Sequence, residues 1–436
     1  MKAALHNLGC KVNAYETEAM QQLLEADGYE IVTFEEIADV YVVNTCSVTN
    51  IADRKSRQML HRAKTLNPGA VVVAAGCYVQ AAGEALLADE AVDLIIGNNQ
   101  KNELVSILDN FFADRSANEA LIDIAKTHEY ETLSISHTAE HTRAFIKVQD
   151  GCNQFCSYCI IPYTRGRVRS RELADVVAEV TALAKAGYRE VVLTGIHLSS
   201  YGVDRKEENA PHLLELIKAV HEIPGIERIR LGSLEPRIVT EAFVSELAGL
   251  KKVCPHFHLS LQSGCDATLK RMNRRYTTDE YRRGCEILRK YYADPAITTD
   301  VIAGFAGETE EEFSETAKYV EEIGFYEMHV FKYSVRKGTR AASMPDQVPE
   351  KVKGERSHCL LDAEERMSRA YRERKLGLRQ TLLLEEPIEI DGVRYMTGFT
   401  PEYVRGAVIT EKGAGETVNG IFKEFLTKDV LLMVEK

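Results

Sequence analysis

The chain has 436 residues, 45% of them hydrophobic, a formal net charge of −12 and ten cysteines. That length allows about two to four domains, no run approaches the roughly 18 apolar residues of a membrane span, and the negative balance leaves any polyanion site to a local basic patch. The first ten residues carry no long apolar region ahead of a small-residue cleavage site, so a cytoplasmic protein with reduced thiols and no membrane partner is expected, in which ten cysteines point to metal or catalysis more than to disulfides.

From residue 1 to about 135, short apolar runs alternate with amphipathic stretches. Strands are predicted at Lys2 to Leu8, Val40 to Asn44, Val71 to Ala75 and Val92 to Ile96, and helices at Ala14 to Ala26, Ile51 to Leu66, Val79 to Leu87 and Lys101 to Phe112. This alternation implies an α/β domain with a parallel sheet covered on both faces. Three cysteines share one structural slot in it: Cys10 follows the first strand, Cys46 the second and Cys77 the third. Ligands bind at the carboxyl edge of such sheets, and helix N-termini there favour anionic groups such as thiolate clusters. The pattern predicts a three-cysteine iron–sulfur site, one ligand short. Residues 113–140 lose periodicity and are predicted to be a connector.

From 141 to 370, six strand-like runs recur at Phe145 to Val148, Glu190 to Thr194, Ile226 to Gly232, His256 to Leu261, Ile297 to Ile302 and Met328 to Tyr333, with helical stretches after most of them. Six β/α units suggest a partial (β/α)6 barrel with its active site at the carboxyl ends of the strands. After the first strand comes Cys152-x3-Cys156-x2-Cys159. Thiols this crowded oxidise unless something binds them. Three thiolates hold three corners of a [4Fe–4S] cluster that normally takes four, which leaves one iron open. Other strand ends supply Gly195, Ser233 with Glu235, Gln262-Ser263-Gly264 and Gly304. Singly these are turn residues; together they ring one mouth, with Glu235 and Gln262 as the favoured ligand contacts. His256 and His258 alternate along a strand and share a face, as a packed pair rather than a metal site. Cys254, Cys285 and Cys359 show no paired spacing.

Arginines 165, 167, 169 and 171 alternate just after the cysteine loop; Arg271, Arg274, Arg275, Arg282 and Arg283 form a second group, and Arg54, Lys55, Arg57, Arg62 and Lys64 a third. Such runs are either solvated faces or phosphate contacts. From 372 to 436 short strands separated by Gly, Asp and Glu turns fit a small five-strand β-barrel. With ten basic and eleven acidic residues there, any RNA contact must rest on one face or on aromatics such as Tyr395, Phe399, Tyr403 and Phe422.

Cys152-x3-Cys156-x2-Cys159, placed after the first strand of a six-unit β/α domain, resembles the radical S-adenosylmethionine superfamily. The resemblance implies S-adenosylmethionine chelated at the open iron, with Gly195, Ser233, Glu235, Gln262 and Asp300 as its candidate contacts. The whole chain, with its N-terminal three-cysteine domain and C-terminal β domain, resembles the methylthiotransferase family. Asn7-Leu8-Gly9-Cys10-Lys11-Val12-Asn13-Ala14-Tyr15-Glu16 is similar to the branch acting on N6-threonylcarbamoyladenosine in tRNA. The isopentenyladenosine branch usually has Gln-Met where Lys11-Val12 stand, and the branch modifying a ribosomal protein aspartate has Pro-Lys-Asn and Val-Asp-Ser around this cysteine. Gly151 to Arg171, His258 to Gly264, Lys270 to Arg274 and Asp300 to Phe313 also look like the family, although Ala306 stands where proline is usual and Cys265 where serine is. The C-terminal barrel resembles the RNA-binding TRAM domain. What the resemblance implies is a tRNA-modifying enzyme with two [4Fe–4S] clusters, one on Cys152, Cys156 and Cys159 and one on Cys10, Cys46 and Cys77. It would draw on S-adenosylmethionine for radical and methyl, take electrons from an unidentified donor, and act as a monomer. An isopentenylated adenosine or a ribosomal aspartate are the other substrates weighed. A non-enzymatic iron–sulfur electron carrier or RNA-binding redox sensor is the reading from another class, and the ring at Glu235, Gln262 and Asp300 argues against it.

Overall fold

The computed structural model describes residues 1–114, 121–138, 142–207 and 210–435. The N-terminal region is a parallel five-stranded sheet built from β1 (Lys2–Asn7), β2 (Glu30–Ile31), β3 (Val40–Thr45), β4 (Val71–Gly76) and β5 (Leu94–Ile96), in the order β2-β1-β3-β4-β5. Val40, Val42, Val71 and Val73 pack against Met20, Leu24, Leu104 and Leu108 on one face. Tyr41, Val43, Val72 and Ala74 meet Leu60 and Ala63 on the other. Burial on both faces is why these strands read as unbroken apolar runs. The stretch expected as one helix over 79–87 is a helix Cys77–Ala82 and then a 3-10 turn Gly83–Ala88, broken where Gly83 takes φ +68.

The central region places β6 (Ala144–Asp150), β8 (Glu190–Gly195) and β9 (Arg228–Leu231) side by side in parallel, with the short antiparallel β7 (Arg169–Ser170) on the edge of β6. The strands β10 (His256–His258), β11 (Ala296–Ala303) and β12 (Glu327–Lys332) continue the parallel series. Single bridges such as Leu234 to Leu259 join the two sheets. Ala144, Ile146, Val191, Leu193, Ile229, Phe257, Ile297, Val301 and Met328 face the helices in one large core. The helix Glu350–Glu373, which no apolar periodicity announced, packs along β12 and leads into the C-terminal region. There β13 (Arg379–Ile390), β14 (Val393–Phe399), β15 (Arg405–Val408), β16 (Thr417–Phe425) and β17 (Leu431–Glu435) close on themselves in the order β13-β14-β15-β17-β16.

Of the expected connector over 113–140, residues 115–120 and 139–140 lie outside the described residues. Residues 121–138 are a strap fastened to both neighbouring regions. Leu133 and Ile135 are buried in the central core, the Tyr15 hydroxyl donates to the Leu133 carbonyl at 2.7 Å, and the Lys101 amide donates to Glu131. Among the described residues no helix is long and apolar enough to cross a membrane.

Candidate active site

The strands β1, β3 and β4 end at one level, with Asn7 opposite Asn44 and Thr45 opposite Gly76. The chain steps from β1 outward to β2 and then back to β3 on the other side, so β1 and β3 flank the topological switch point where open α/β sheets bind ligands. Cys10 caps the helix Lys11–Ala26 and Cys77 opens the next short helix. Gly9 has φ +108, and a Cβ there would stand 2.9 Å from the Cys46 Sγ, so only glycine lets the two loops close around the sulfurs. Arg165 Nε and Asn98 Nδ2 donate to Cys77 Sγ at 3.3 and 3.5 Å. Burial pushes the Cys10 thiol up, and that of Cys46 up to about 11. The cysteines are free thiols. Three free thiols brought to one sheet edge, Cys46 and Cys77 buried and Cys10 exposed, fit a cationic cluster, which supplies the charge that three thiolates require.

The second cysteine set follows β6. Gly151 takes φ +70, and a Cβ would come within 1.8 Å of the Arg167 carbonyl oxygen. This turn throws the loop back on itself, so that the Cys152 amide donates to the Gly166 carbonyl at 3.0 Å and the Cys159 amide to the Cys156 carbonyl at 3.0 Å. Arg274 Nη1 donates to Cys156 Sγ at 3.3 Å. Burial pushes Cys152 up to about 11 and Cys159 higher still. The three cysteines share a cleft with His197, Ser233, Glu235, Ser260, Gln262 and Arg274. Gln262 adopts the left-handed region at φ 70, a strained turn of the kind found at ligand sites. Half-buried His197 is held neutral, its pKa pushed down to about 4 by desolvation and then by Arg274 and Arg237. Its Nδ1 meets Ser200, while its Nε2 has no hydrogen-bond partner. An orphaned imidazole nitrogen in a cleft of polar side chains beside three cysteines fits a polar ligand such as S-adenosylmethionine.

Of the five residues expected to contact that cofactor, Ser233, Glu235 and Gln262 line the cleft. Gly195 ends β8 packed on Gln149, where a Cβ would sit 2.8 Å from its Oε1, and the next two residues, Ile196 and His197, form the wall. Asp300 lies elsewhere. It is the fifth residue of β11, which runs on to Ala303, so its side chain sits mid-strand rather than at the rim and bonds to His258 and His329 at 3.2 Å each. Sequence reasoning passed over His197 and Ser260; the former follows a strand end and could have been found there. The Ala306 loop is held without proline: Gly304 N–H donates to Glu308 at 2.7 Å, and Arg356 pairs with Glu308 at 2.8 Å.

The two cysteine sets meet through a dipeptide. Arg165 reaches Cys77, and Gly166 accepts from Cys152. Arg165 is fully buried and also holds Glu16, Asp150 and Asn13. Glu16 in turn accepts from Lys101 and Lys147 at 2.6 Å each. Burial opposes the charges of Glu16 and Asp150, yet Arg165 and the lysines hold both carboxyls well below the usual range. Arg169 and Arg171 are buried as well, donating to backbone carbonyls and to Glu179. Only Arg167 of the alternating arginines is exposed, stacked over Phe155 at 4.7 Å. That run is therefore a seam between regions and not a phosphate-binding face.

Because the apolar residues of β6 to β12 that pack in the large core face the helices, the alternate residues face inward; Val192, Ala296 and Ile302 are among them, but many are polar: Lys147, Glu190, Arg228, Arg230, His256, His258, Asp300 and His329. Glu16 on Lys147 brings the helix Lys11–Ala26 onto this inner side. Cys10 and Lys11, at the start of that helix, are exposed. At the amino ends of the strands the C-terminal region packs against the central one. Arg228 and Arg230 donate to the carbonyls of Phe399, Thr381 and Pro401, and Tyr403 stacks on His256 with ring centroids 5.0 Å apart.

Two family models match the chain: the radical SAM superfamily over residues 146–320 and the uncharacterized protein family UPF0004 over residues 2–97. The chain is 40% identical to the threonylcarbamoyladenosine tRNA methylthiotransferase MtaB of Bacillus subtilis (strain 168), over 98% of this chain and 93% of that protein. It is 35% identical to the tRNA-2-methylthio-N(6)-dimethylallyladenosine synthase of Alkaliphilus oremlandii, over 91% and 84% respectively. Among solved structures, the radical S-adenosylmethionine methyltransferase TsrM of Kitasatospora setae, with cobalamin and a [4Fe-4S] cluster, shares the fold with a TM-score of 0.57 at 15% identity, over 76% of this chain and 75% of that one. Enzymes of the methylthiotransferase kind use S-adenosylmethionine and two [4Fe–4S] clusters, and two three-cysteine sites beside a polar cleft are what that requires. The chain belongs to the radical S-adenosylmethionine tRNA methylthiotransferase family.

Proposed function

We propose that this enzyme places a methylthio group on C2 of N6-threonylcarbamoyladenosine, the nucleoside 3′ of the anticodon. Cys152, Cys156 and Cys159 would hold one [4Fe–4S] cluster, with Ser233, Glu235, Gln262 and His197 contacting S-adenosylmethionine, and Cys10, Cys46 and Cys77 would hold the other. When bound, these groups supply one-electron cleavage of the sulfonium at one site and a sulfur-carrying iron at the other, which an inert aromatic C–H bond demands because it offers no proton to acid–base catalysis.

The observation that carries this reading is the shared dipeptide: Arg165 touches one cysteine set and Gly166 the other. The protein's own part is to fix that spacing, to keep His197 neutral in the cleft, and to hold the C-terminal region on the radical domain through Tyr403 stacked on His256. The closed C-terminal barrel has the strand number of a TRAM domain and would hold the tRNA body. The exposed cations Arg54, Lys55 and Arg57, on the helix Asn50–Leu66 after Cys46, suit its phosphates. Nucleoside mass spectrometry of tRNA from a deletion strain tests the substrate. Loss of 2-methylthio-N6-threonylcarbamoyladenosine, restored by the intact gene, is expected; loss of the isopentenyl counterpart instead would overturn the reading.

A further inference from the structure

A carboxylate on the inner face of the central strands is answered by no permanent cation. Glu16, Asp150, Glu179, Glu190 and Glu308 each pair with an arginine. Asp300, half-buried in the middle of β11, meets two histidines instead. Its Oδ2 stands 3.2 Å from His258 Nε2 and its Oδ1 3.2 Å from His329 Nδ1. Among the described residues no lysine or arginine pairs with it. A guanidinium is charged throughout the working pH range, whereas an imidazole is fully charged only below a pKa of about 6.5. Asp300 therefore lacks the fixed counter-charge that the other carboxylates have.

Strand register brings the three side chains together. His258 on β10 lies opposite Thr298 on β11, and Asp300, two residues further on and so on the same face, lies opposite His329 on β12. The two imidazole rings stack with centroids 5.8 Å apart, and one donor atom from each of the three residues lies within 4.8 Å of the others. His258 Nδ1 is 3.0 Å from Thr298 Oγ1, a contact that turns Nε2 toward Asp300, as the outer bond of a ligating histidine does. His256, on the same strand, stacks on Tyr403 and stays outside the group. The spacing suits an ion better than a plain hydrogen-bonded triad. Bonds from an imidazolium to a carboxylate run at about 2.7–2.9 Å, shorter than both contacts here. Two ligands of a tetrahedral zinc, each at roughly 2.0–2.1 Å, stand about 3.3 Å from each other, close to both. The His329 side chain is 61% exposed, so three protein donors would leave coordination open on that side, as zinc sites that take a water or a guest do.

We propose that His258, Asp300 and His329 form a metal site, separate from the two cysteine sets, that binds a divalent first-row cation of the Zn2+ class. Two imidazole nitrogens and a carboxylate oxygen are donors such ions take. The ion's charge supplies what Asp300 lacks, and both histidines bind it as neutral imidazoles. The site does not depend on which nucleoside the enzyme modifies.

The test is the zinc and iron content of the anaerobically reconstituted full chain after equilibrium dialysis against micromolar Zn2+, for the wild type, His329→Ala, Asp300→Asn and Cys359→Ser. Zinc is the probe because it outranks Fe2+ and Mn2+ at such donors. The wild type is expected to hold about one zinc per chain beside its iron, and His329→Ala and Asp300→Asn to lose that zinc with their iron unchanged. Cys359 is an exposed free thiol outside both cysteine sets, so Cys359→Ser should keep the zinc. His329 is largely exposed and its loss leaves the core intact, so its variant decides if Asp300→Asn loses iron as well. A wild type that holds no zinc overturns the site. Zinc that His329→Ala retains in full, or that Cys359→Ser loses, overturns it too.

Discussion

Glu16→Gln is the sharpest probe of how the N-terminal region is locked to the radical domain. Glu16 is fully buried and contacts three cations, Lys101 and Lys147 at 2.6 Å and Arg165 at 2.7 Å. Around it lie four cations, Lys101, Lys147, Arg165 and Arg169, and three carboxylates, Glu16, Asp150 and Glu131. The amide keeps the shape and removes the charge, leaving four buried cations against two carboxylates. Removing one partner from a buried ionic network costs about 3–5 kcal/mol, which corresponds to roughly 150-fold or more in an opening equilibrium at about 1.4 kcal/mol per tenfold. Hydrogen exchange over the helix Lys11–Ala26 reads this locally, where a single unfolding midpoint for so large a chain would not. Because the folded carboxyl is held well below its usual range, its contribution is complete above the unfolded pKa of about 4.3 and is lost only as pH falls through the folded value. The difference between wild type and variant should therefore be flat from pH 8 to pH 5 and shrink below that. Exchange within threefold of wild type at pH 7 would refute the interlock.

Three further outcomes are expected. Cys156→Ala and Cys46→Ala should each lose about half of the iron, one four-iron cluster of two; the Cys46 variant should keep cofactor cleavage and lose methylthiolated nucleoside, and full product from it sinks the two-site assignment. Gly151→Ala should fold yet lose the iron of the Cys152 set, because its Cβ would meet the Arg167 carbonyl backbone at 1.8 Å; full iron occupancy would contradict this. Tyr403 stacks on His256 and Phe399 and lies beneath Arg143 and Arg230, so Tyr403→Ala should cost about 3 kcal/mol. Since Tyr403 sits at φ 70, Tyr403→Gly should be about 1 kcal/mol more stable than the alanine variant, a ranking that thermal melts can check.

The cysteine sets were legible because their signal is local: a fixed spacing in one case, and a repeated place after β1, β3 and β4 in the other. The parallel sheets were legible because strands buried on both faces leave unbroken valine runs such as Val71-Val72-Val73. The arginines from 165 to 171 were not, since an alternating basic run looks the same whether its partners are phosphates or the carboxylates of Glu16, Asp150 and Glu179, of which Glu16 lies 149 residues from Arg165. Asp300 was placed at the rim because the end of β11 was set one residue early and its alternation was not followed. The helix Glu350–Glu373 escaped because it buries Lys353, Arg356 and Arg372 along with its few apolar residues, so the pattern of apolar residues carries no period.

The polar inner face explains a tension between the chain's acidity and its RNA substrate class. A barrel interior is ordinarily filled by branched aliphatic side chains. Here Arg228, Arg230, His256, His258, Asp300 and His329 occupy those places, a costly arrangement unless the groups are paired or meet a polar guest. Most are paired, and the pairs involving Arg228 and Arg230 are spent on holding the C-terminal barrel over the amino ends of the strands. Many exposed cations, such as Arg62, Lys290, Lys318, Arg366 and Arg369, are paired with acidic neighbours, and those inside are committed to seams between regions. Salt should weaken binding of modified and unmodified stem-loops by the same factor, because the phosphates that meet exposed cations such as Arg54 and Lys55 are the same in both; a steeper salt slope for the threonylcarbamoylated RNA would refute this.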